Sequence, residues 1–171
     1  MGQGMSAEKL AFVRIEPSDD GFTASVTVDG LFVLKRDPET VLRRAAEIYQ
    51  GHIKAMRDVV SEIESLRRSH RLVPARRIWE LGDGVFRLRS ALEKLSLEVD
   101  DLYGHLLRDL GVKRKWLEKV IILRRHVPNR KMIPAALNWG RCEKGTRRVA
   151  EELVASYRAQ RSGKSARRWF G

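Results

Sequence analysis

The chain has 171 residues, enough for one domain or a small domain with an appendage, and its 43% hydrophobic content is sufficient for a core. A single cysteine, Cys142, excludes an internal disulfide and a thiolate metal cluster, and no apolar run approaches the ~18 residues of a membrane span. Residues 1–10 lack the apolar core of a secretory signal, so the sequence predicts a soluble, cytoplasmic protein with no membrane partner. The 34 Lys and Arg against 22 Asp and Glu leave a net charge of +12, and that excess is segregated. Residues 1–100 hold 16 basic and 16 acidic side chains, whereas residues 101–171 hold 18 basic and 6 acidic. Solubility does not require such segregation. A polyanion partner explains it, because each neutralised phosphate releases condensed counterions.

In chain order, Phe12–Glu16 reads as a strand, followed by the turn cluster Pro17-Ser18-Asp19-Asp20-Gly21. Phe22–Val28 alternates, with Ala24, Val26 and Val28 set against Thr23, Ser25 and Thr27. Asp29-Gly30 then precedes Leu31–Leu34. Asp-Gly between two β-rich runs is a hairpin signal, because a type I′ turn needs positive φ at both central residues. These runs predict a three-stranded antiparallel meander in residues 1–36, with one face covered by helices or a partner.

Asp37-Pro38-Glu39 starts a helix: a capping acceptor, proline at the first helical position, and an acid at the positive dipole end. The helix should run to about Arg71. Leu42, Ala45, Tyr49, His52, Met56, Val59, Ile63 and Leu66 form a 3-4 seam that suits bundle packing or dimerisation, weakened midway by Gly51. Pro74 opens a second helix, Ala75 to about Leu95, whose stripe is Ile78, Leu81, Val85, Leu88, Leu92 and Leu95. Gly82 and Gly84 around Asp83 predict a kink or break there. Residues 37–100 thus read as a helical hairpin for dimerisation or partner docking, with residues 38–71 as the contact.

Residues 101–127 read DLYGHLLRDLGVKRKWLEKVIILRRHV. Leu102 to Leu110 predicts a helix stopped by Gly111, whose glycine fits a tight turn at positive φ, and a second helix runs from about Lys113 to His126. Two crossing helices need apolar residues at fixed slots, and Leu106, Leu110, Val112, Leu117 and Val120 fill them. In this spacing the segment resembles the helix-turn-helix superfamily of DNA-binding domains. One slot departs from the pattern: where a small residue is usual, this chain has Leu107. The resemblance implies that the second helix enters a major groove. Lys113, Arg114, Lys115, Glu118, Lys119 and Ile122 then face outward, with the bases clustered at the end that usually meets base edges. Lys and Arg at a helix N-terminus oppose the macrodipole, a mild cost that a bound phosphate offsets. Trp116 is expected to pack at the edge of the small core. Arg124, Arg125 and His126 suit the negative end of the dipole.

Val127 to Pro134 reads as a linker bounded by prolines, followed by a short apolar helix through Leu137 and Trp139 and a helix from Glu143 to about Gln160. Within the basic domain at 101–160, Arg130, Lys131, Arg141, Lys144, Arg147 and Arg148 are the expected holders of flanking phosphates. The tail at 161–171, RSGKSARRWFG, should be flexible, with Trp169-Phe170 able to stack on bases or dock on a protein. The order Trp79, Gly82, Leu110-Gly111, Pro128 and Leu137-Asn138-Trp139 is also similar to the helical N-terminal domain of a prokaryotic PD-(D/E)XK-type nuclease family. That likeness implies DNA association in a mobile-element or defence setting. It carries over no catalytic residue, because the nuclease domain would follow this region and the chain is expected to stop short of it.

No constellation of catalytic weight stands out. Gly140 and Gly145 lack the ending of a phosphate loop, and His52, His70, His105 and His126 have no metal-spaced partners. Cys142 lacks a local histidine and reads as an inert thiol. The turn carboxylates Asp19, Asp20 and Asp29 are explained by local backbone hydrogen bonds. No catalytic residue, metal or cofactor is therefore expected. The sequence predicts an α+β, mostly α, protein: a short N-terminal meander and a helical body containing a helix-turn-helix. Its expected function is non-enzymatic binding of double-stranded DNA, with transcription regulation as the default use. The alternative is a small, sequence-independent subunit of a larger nucleoprotein complex, in defence or transposition. RNA is the other candidate nucleic acid.

Overall fold

The computed structural model describes residues 10–28 and 37–163. The fold is α+β and mostly α, with a three-stranded sheet and six helices among the described residues, in the order β1 (Ala11–Ser18), β2 (Gly21–Val28), α1 (Pro38–Arg68), α2 (Ala75–Glu93), β3 (Leu97–Val99), α3 (Leu102–Leu110), α4 (Arg114–His126), α5 (Trp139–Glu143) and α6 (Thr146–Arg161). The chain forms two compact units, one of Met1–Met56 with Val85–Val112, the other of Arg57–Gly84 with Lys113–Gly171. These units cut across the boundaries read from the sequence. Both α1 and α2 pass from one unit into the other, and α3 and α4 belong to different units.

In the first unit β1 and β2 form the expected hairpin, closed tightly at Asp19-Asp20 with Ser18 paired to Gly21. Burial alternates along β1: Ala11, Val13 and Ile15 are fully buried while Phe12, Arg14 and Glu16 face out, the period-two pattern of a half-buried strand. Among the described residues the sheet extends beyond that hairpin to a strand for which the sequence gives no signal. Its third described strand is β3, which lies parallel to β1 and gives the order β2-β1-β3. Leu97–Val99 gives no strand signal in sequence, because three residues carry almost no periodicity. β3 is fixed instead by long-range pairing, including Ala11 N–H to the Ser96 carbonyl at 2.9 Å and Asp100 N–H to the Val13 carbonyl at 2.7 Å. The Asp29-Gly30 turn and the Leu31–Leu34 strand lie outside the described residues, as does the tail from Lys164. Pro17 is tolerated in the central strand because β3 pairs only with Ala11–Val13, which leaves that side of β1 open at Pro17.

A buried polar chain locks this unit. Asp101, at positive φ, caps α3 by accepting the Gly104 N–H. The His105 ring donates from Nδ1 to the Asp101 carbonyl at 2.8 Å, and its Nε2 accepts the Ile15 N–H at 3.1 Å. The Tyr49 hydroxyl donates to Asp109 at 2.5 Å, and Arg108 grips the same carboxylate with two bonds of 2.8 Å while reaching the Ile15 carbonyl at 3.0 Å. The hydrogen bond to Asp109 raises the Arg108 guanidinium above its ordinary pKa. Tyr49 also packs edge-on against Phe22, with ring centroids 4.9 Å apart. These contacts leave the buried polar groups satisfied, as a low-dielectric interior requires.

Helix α1 starts as its sequence predicts, with Asp37 accepting the Thr40 N–H at 3.2 Å. It stops at Arg68, three residues before the expected end, because His70 takes positive φ. The predicted seam splits along this helix: Ala45, Tyr49, Met56 and Ile63 are buried, whereas Leu42, His52, Val59 and Leu66 are half-buried. The Ile53 and Val60 side takes the rest of the burial. Of the kink or break expected at Gly82 and Gly84, the break is absent: helix α2 runs continuously through both. Gly82 instead serves packing in the second unit.

Candidate nucleic-acid interface

The second unit is assembled from the last part of α1, the first part of α2, and α4 to α6. Helix α4 buries Leu117, Val120, Ile121 and Leu123, so the two residues expected inward, Leu117 and Val120, are fully enclosed. It lies against α2 at unusually close range. A Cβ placed on Gly82 would sit 2.7 Å from Arg124 Cβ and 2.9 Å from the Val120 carbonyl. The short segment after α4 is pinned to α2 as well: Trp79 Nε1 donates to the Val127 carbonyl at 2.7 Å and Arg76 to the Ile133 carbonyl at 2.7 Å. Pro74 bridges Asn138, with Ala75 N–H to the Leu137 carbonyl and Trp139 N–H to the Val73 carbonyl closing the pair. A 3-10 turn, Arg130–Met132, replaces part of the expected linker. The final helix begins at Thr146, three residues later than read, because Trp139–Glu143 forms its own short helix capped by Asn138.

Charge divides between the units more sharply than along the chain. The second holds 23 Lys and Arg against 9 Asp and Glu, net +14; the first holds 11 against 13, net −2. Much of the acid in the second unit is spent internally. Glu62 and Glu80 both bind Arg77, and Glu80 also binds Arg130. The Arg77 guanidinium, hydrogen-bonded by Glu62 and then Glu80, is held still more firmly protonated than usual. Asp83 accepts from Arg124 Nε at 2.8 Å, and the same guanidinium stacks over Trp79 at 4.8 Å.

These contacts sort the residues expected at nucleic acid. Lys113, Arg114 and Lys115 are exposed, Lys113 occupies the cap position without capping through its side chain, and none of the three has an ion-pair partner among the described residues. Glu118, Arg125, Lys131, Arg141 and Lys144 are also exposed. Arg124 is different: its side chain is only 20% exposed and is committed to Asp83 and Trp79. Lys119 is half-buried, 4.0 Å from Glu143. Arg130 binds Glu80, while Arg147 and Arg148 pair with Glu151 and Glu152 one turn along α6. Those last pairs are surface contacts worth at most a few tenths of a kcal/mol, so a phosphate can displace them.

Trp116 packs, as expected, but its partner comes from elsewhere in the chain: Arg67, at the end of α1, lies over the ring at 5.2 Å. Splitting the sequence at residue 100 hides this, because Arg67, Arg68 and Arg71 sit in the electrically neutral half. The visible signal is the run Arg67-Arg68-Ser69-His70-Arg71 itself. Cys142 is fully buried, its thiol 3.6 Å from the Asn138 carbonyl, and burial pushes its pKa up, which agrees with an inert thiol. Among the described residues no group of three or more His, Cys, Asp or Glu is placed to hold a metal ion, and no helix is long and apolar enough to cross a membrane. No family model, curated protein or solved structure matches the chain.

Proposed function

We propose that this chain is a cytoplasmic, non-enzymatic double-stranded DNA-binding protein whose basic unit makes the contact, with α4 as the element that enters the major groove. The observation carrying this reading is the separation of charge between the units. One compact body holds net +14, and three adjacent cations, Lys113–Lys115, stand unpaired at the exposed start of one of its helices. A phosphate there meets both side-chain charge and the free N–H groups of the helix start. Arg125, Lys131, Arg141 and Lys144 supply further phosphate contacts. Arg147 and Arg148 join them by exchanging a weak glutamate pair for a phosphate.

The test is binding of the full chain to random duplex DNA at 50 and 200 mM salt, beside the K113A/R114A/K115A variant. With ~5–8 phosphates contacted, affinity should fall roughly 10³–10⁴-fold between the two salts. The variant should bind more weakly and with a shallower salt dependence. Binding unchanged in the variant would remove α4 from the interface, and absence of duplex binding would refute the reading. A preferred duplex site separates a regulator from a sequence-independent subunit of a nucleoprotein complex.

A further inference from the structure

The connection between α1 and α2 combines three features that its packing does not require. First, Leu72 is 74% exposed, the most exposed large hydrophobic side chain among the described residues. Second, it stands among cations. Arg67, Arg68 and Arg71 are all exposed, and Arg68 and Arg71 have no ion-pair partner among the described residues.

Third, the backbone on both sides of Leu72 is hydrogen-bonded. The end of α1 closes with Arg71 N–H on the Leu66 carbonyl at 2.8 Å and His70 N–H on the Arg67 carbonyl at 3.1 Å. This is a Schellman closure, whose left-handed position is usually glycine and is here His70 at φ 54°. The residue after that position commonly folds an apolar side chain back onto the helix; here it is Arg71, and Leu72 follows, turned to solvent. On the other side, buried Val73 accepts the Trp139 N–H at 2.8 Å and precedes Pro74, which keeps it extended. Leu72 is therefore exposed between two hydrogen-bonded backbone segments.

The connection also starts from a contact with α4. Arg67 over Trp116 ties the end of α1 to the first turn of α4, one to three residues from Lys113–Lys115. A single leucine flanked by arginines suits a nucleic-acid duplex: arginines neutralise phosphates, and an isolated apolar side chain wedges at a base step. A lipid surface takes several apolar residues on one face.

We propose that the end of α1 and the connection after it, residues 68–73, form a second duplex-DNA contact, with Arg68 and Arg71 on phosphates and Leu72 wedged against a base step. This rests on the DNA-binding reading above. The full chain is titrated with a random duplex carrying 2-aminopurine, as wild type, R68Q/R71Q and L72S, with circular dichroism as the fold check for these exposed positions. R68Q/R71Q should lower the salt slope by about 2 and weaken binding about ten-fold near 150 mM salt. Wild type should raise 2-aminopurine fluorescence by unstacking, and L72S should lose most of that rise while still binding. A wild-type salt slope in R68Q/R71Q, or an undiminished rise in L72S, overturns the proposal and leaves the α4 reading standing. Loss of duplex binding by wild type overturns both. Binding to anionic phosphatidylserine vesicles that L72S abolishes, with duplex binding untouched, overturns it in favour of a lipid contact.

Discussion

Gly82 and Gly51 both lie inside long helices, and the structure predicts that the same substitution acts in opposite directions at the two sites. Glycine in a helix interior costs about 1 kcal/mol relative to alanine, so G51A and G82A share that gain. At Gly51 an added methyl meets nothing within 4 Å and points to solvent, so G51A should stabilise by about 0.5–1 kcal/mol. At Gly82 the methyl would stand 2.9 Å from the Val120 carbonyl and 2.7 Å from Arg124 Cβ. Neither is the yielding end of a flexible side chain, so α2 and α4 must separate. Overpacking of this kind costs about 1–3 kcal/mol, and backbone on the receiving side places Gly82 at the upper end. Net of the propensity gain, G82A should lose about 2 kcal/mol. The assay is urea unfolding followed by circular dichroism and by tryptophan fluorescence. Trp79, Trp116 and Trp139, the tryptophans among the described residues, all lie in the second unit, so fluorescence reads the unit that G82A perturbs. A G82A protein as stable as wild type would refute the close approach of α2 and α4 argued here. A destabilised G51A would refute the claim that its site is open.

Three further outcomes follow from buried groups. Removing Asp83 leaves the largely enclosed Arg124 charge without its carboxylate, so D83A should cost about 3 kcal/mol in unfolding experiments, while the double variant D83L/R124M should recover much of that loss. Y49F deletes the hydroxyl that donates to Asp109 at 2.5 Å and should cost about 1.5–3 kcal/mol, measured by thermal melting against wild type; a cost below ~0.5 kcal/mol would show that the bond contributes little. Burial raises the Cys142 pKa, so the neutral thiol dominates at pH 7–8. A disulfide exchange reagent should then label Cys142 at the rate of unfolding in the native protein and at once in urea. Rapid labelling of native protein would contradict both its burial and its inertness.

Local chemistry made several elements legible from sequence. Gly111 stops α3 at φ 65°, and Asp37-Pro38 starts α1, because caps and turns act over a few residues and need no tertiary partner. The 3.6-residue spacing of Leu117 and Val120 likewise gave the inward side of α4. The break expected at Gly82 is absent for the converse reason: a glycine permits a break but equally permits a close neighbour, and only the position of α4 shows the second. The seam on α1 shows the same limit. Its spacing marks an apolar side correctly, yet which of two adjoining rows is enclosed depends on what packs there.

By itself, then, the sequence determined the helices, the first hairpin, the excess of base in the C-terminal part, and a candidate recognition helix with Lys113–Lys115 at its start. Each of these follows from short-range periodicity, capping or composition. Tertiary structure alone decided that Leu97–Val99 pairs beside β1, that α3 and α4 belong to different units, that Arg124 serves Asp83 and Trp79, and that Arg67 lies over Trp116. Those outcomes rest on residues brought together from some 40 to 90 positions apart. Their energies come from enclosure and pairing after the chain has closed, and no local pattern encodes which partner each side chain will meet.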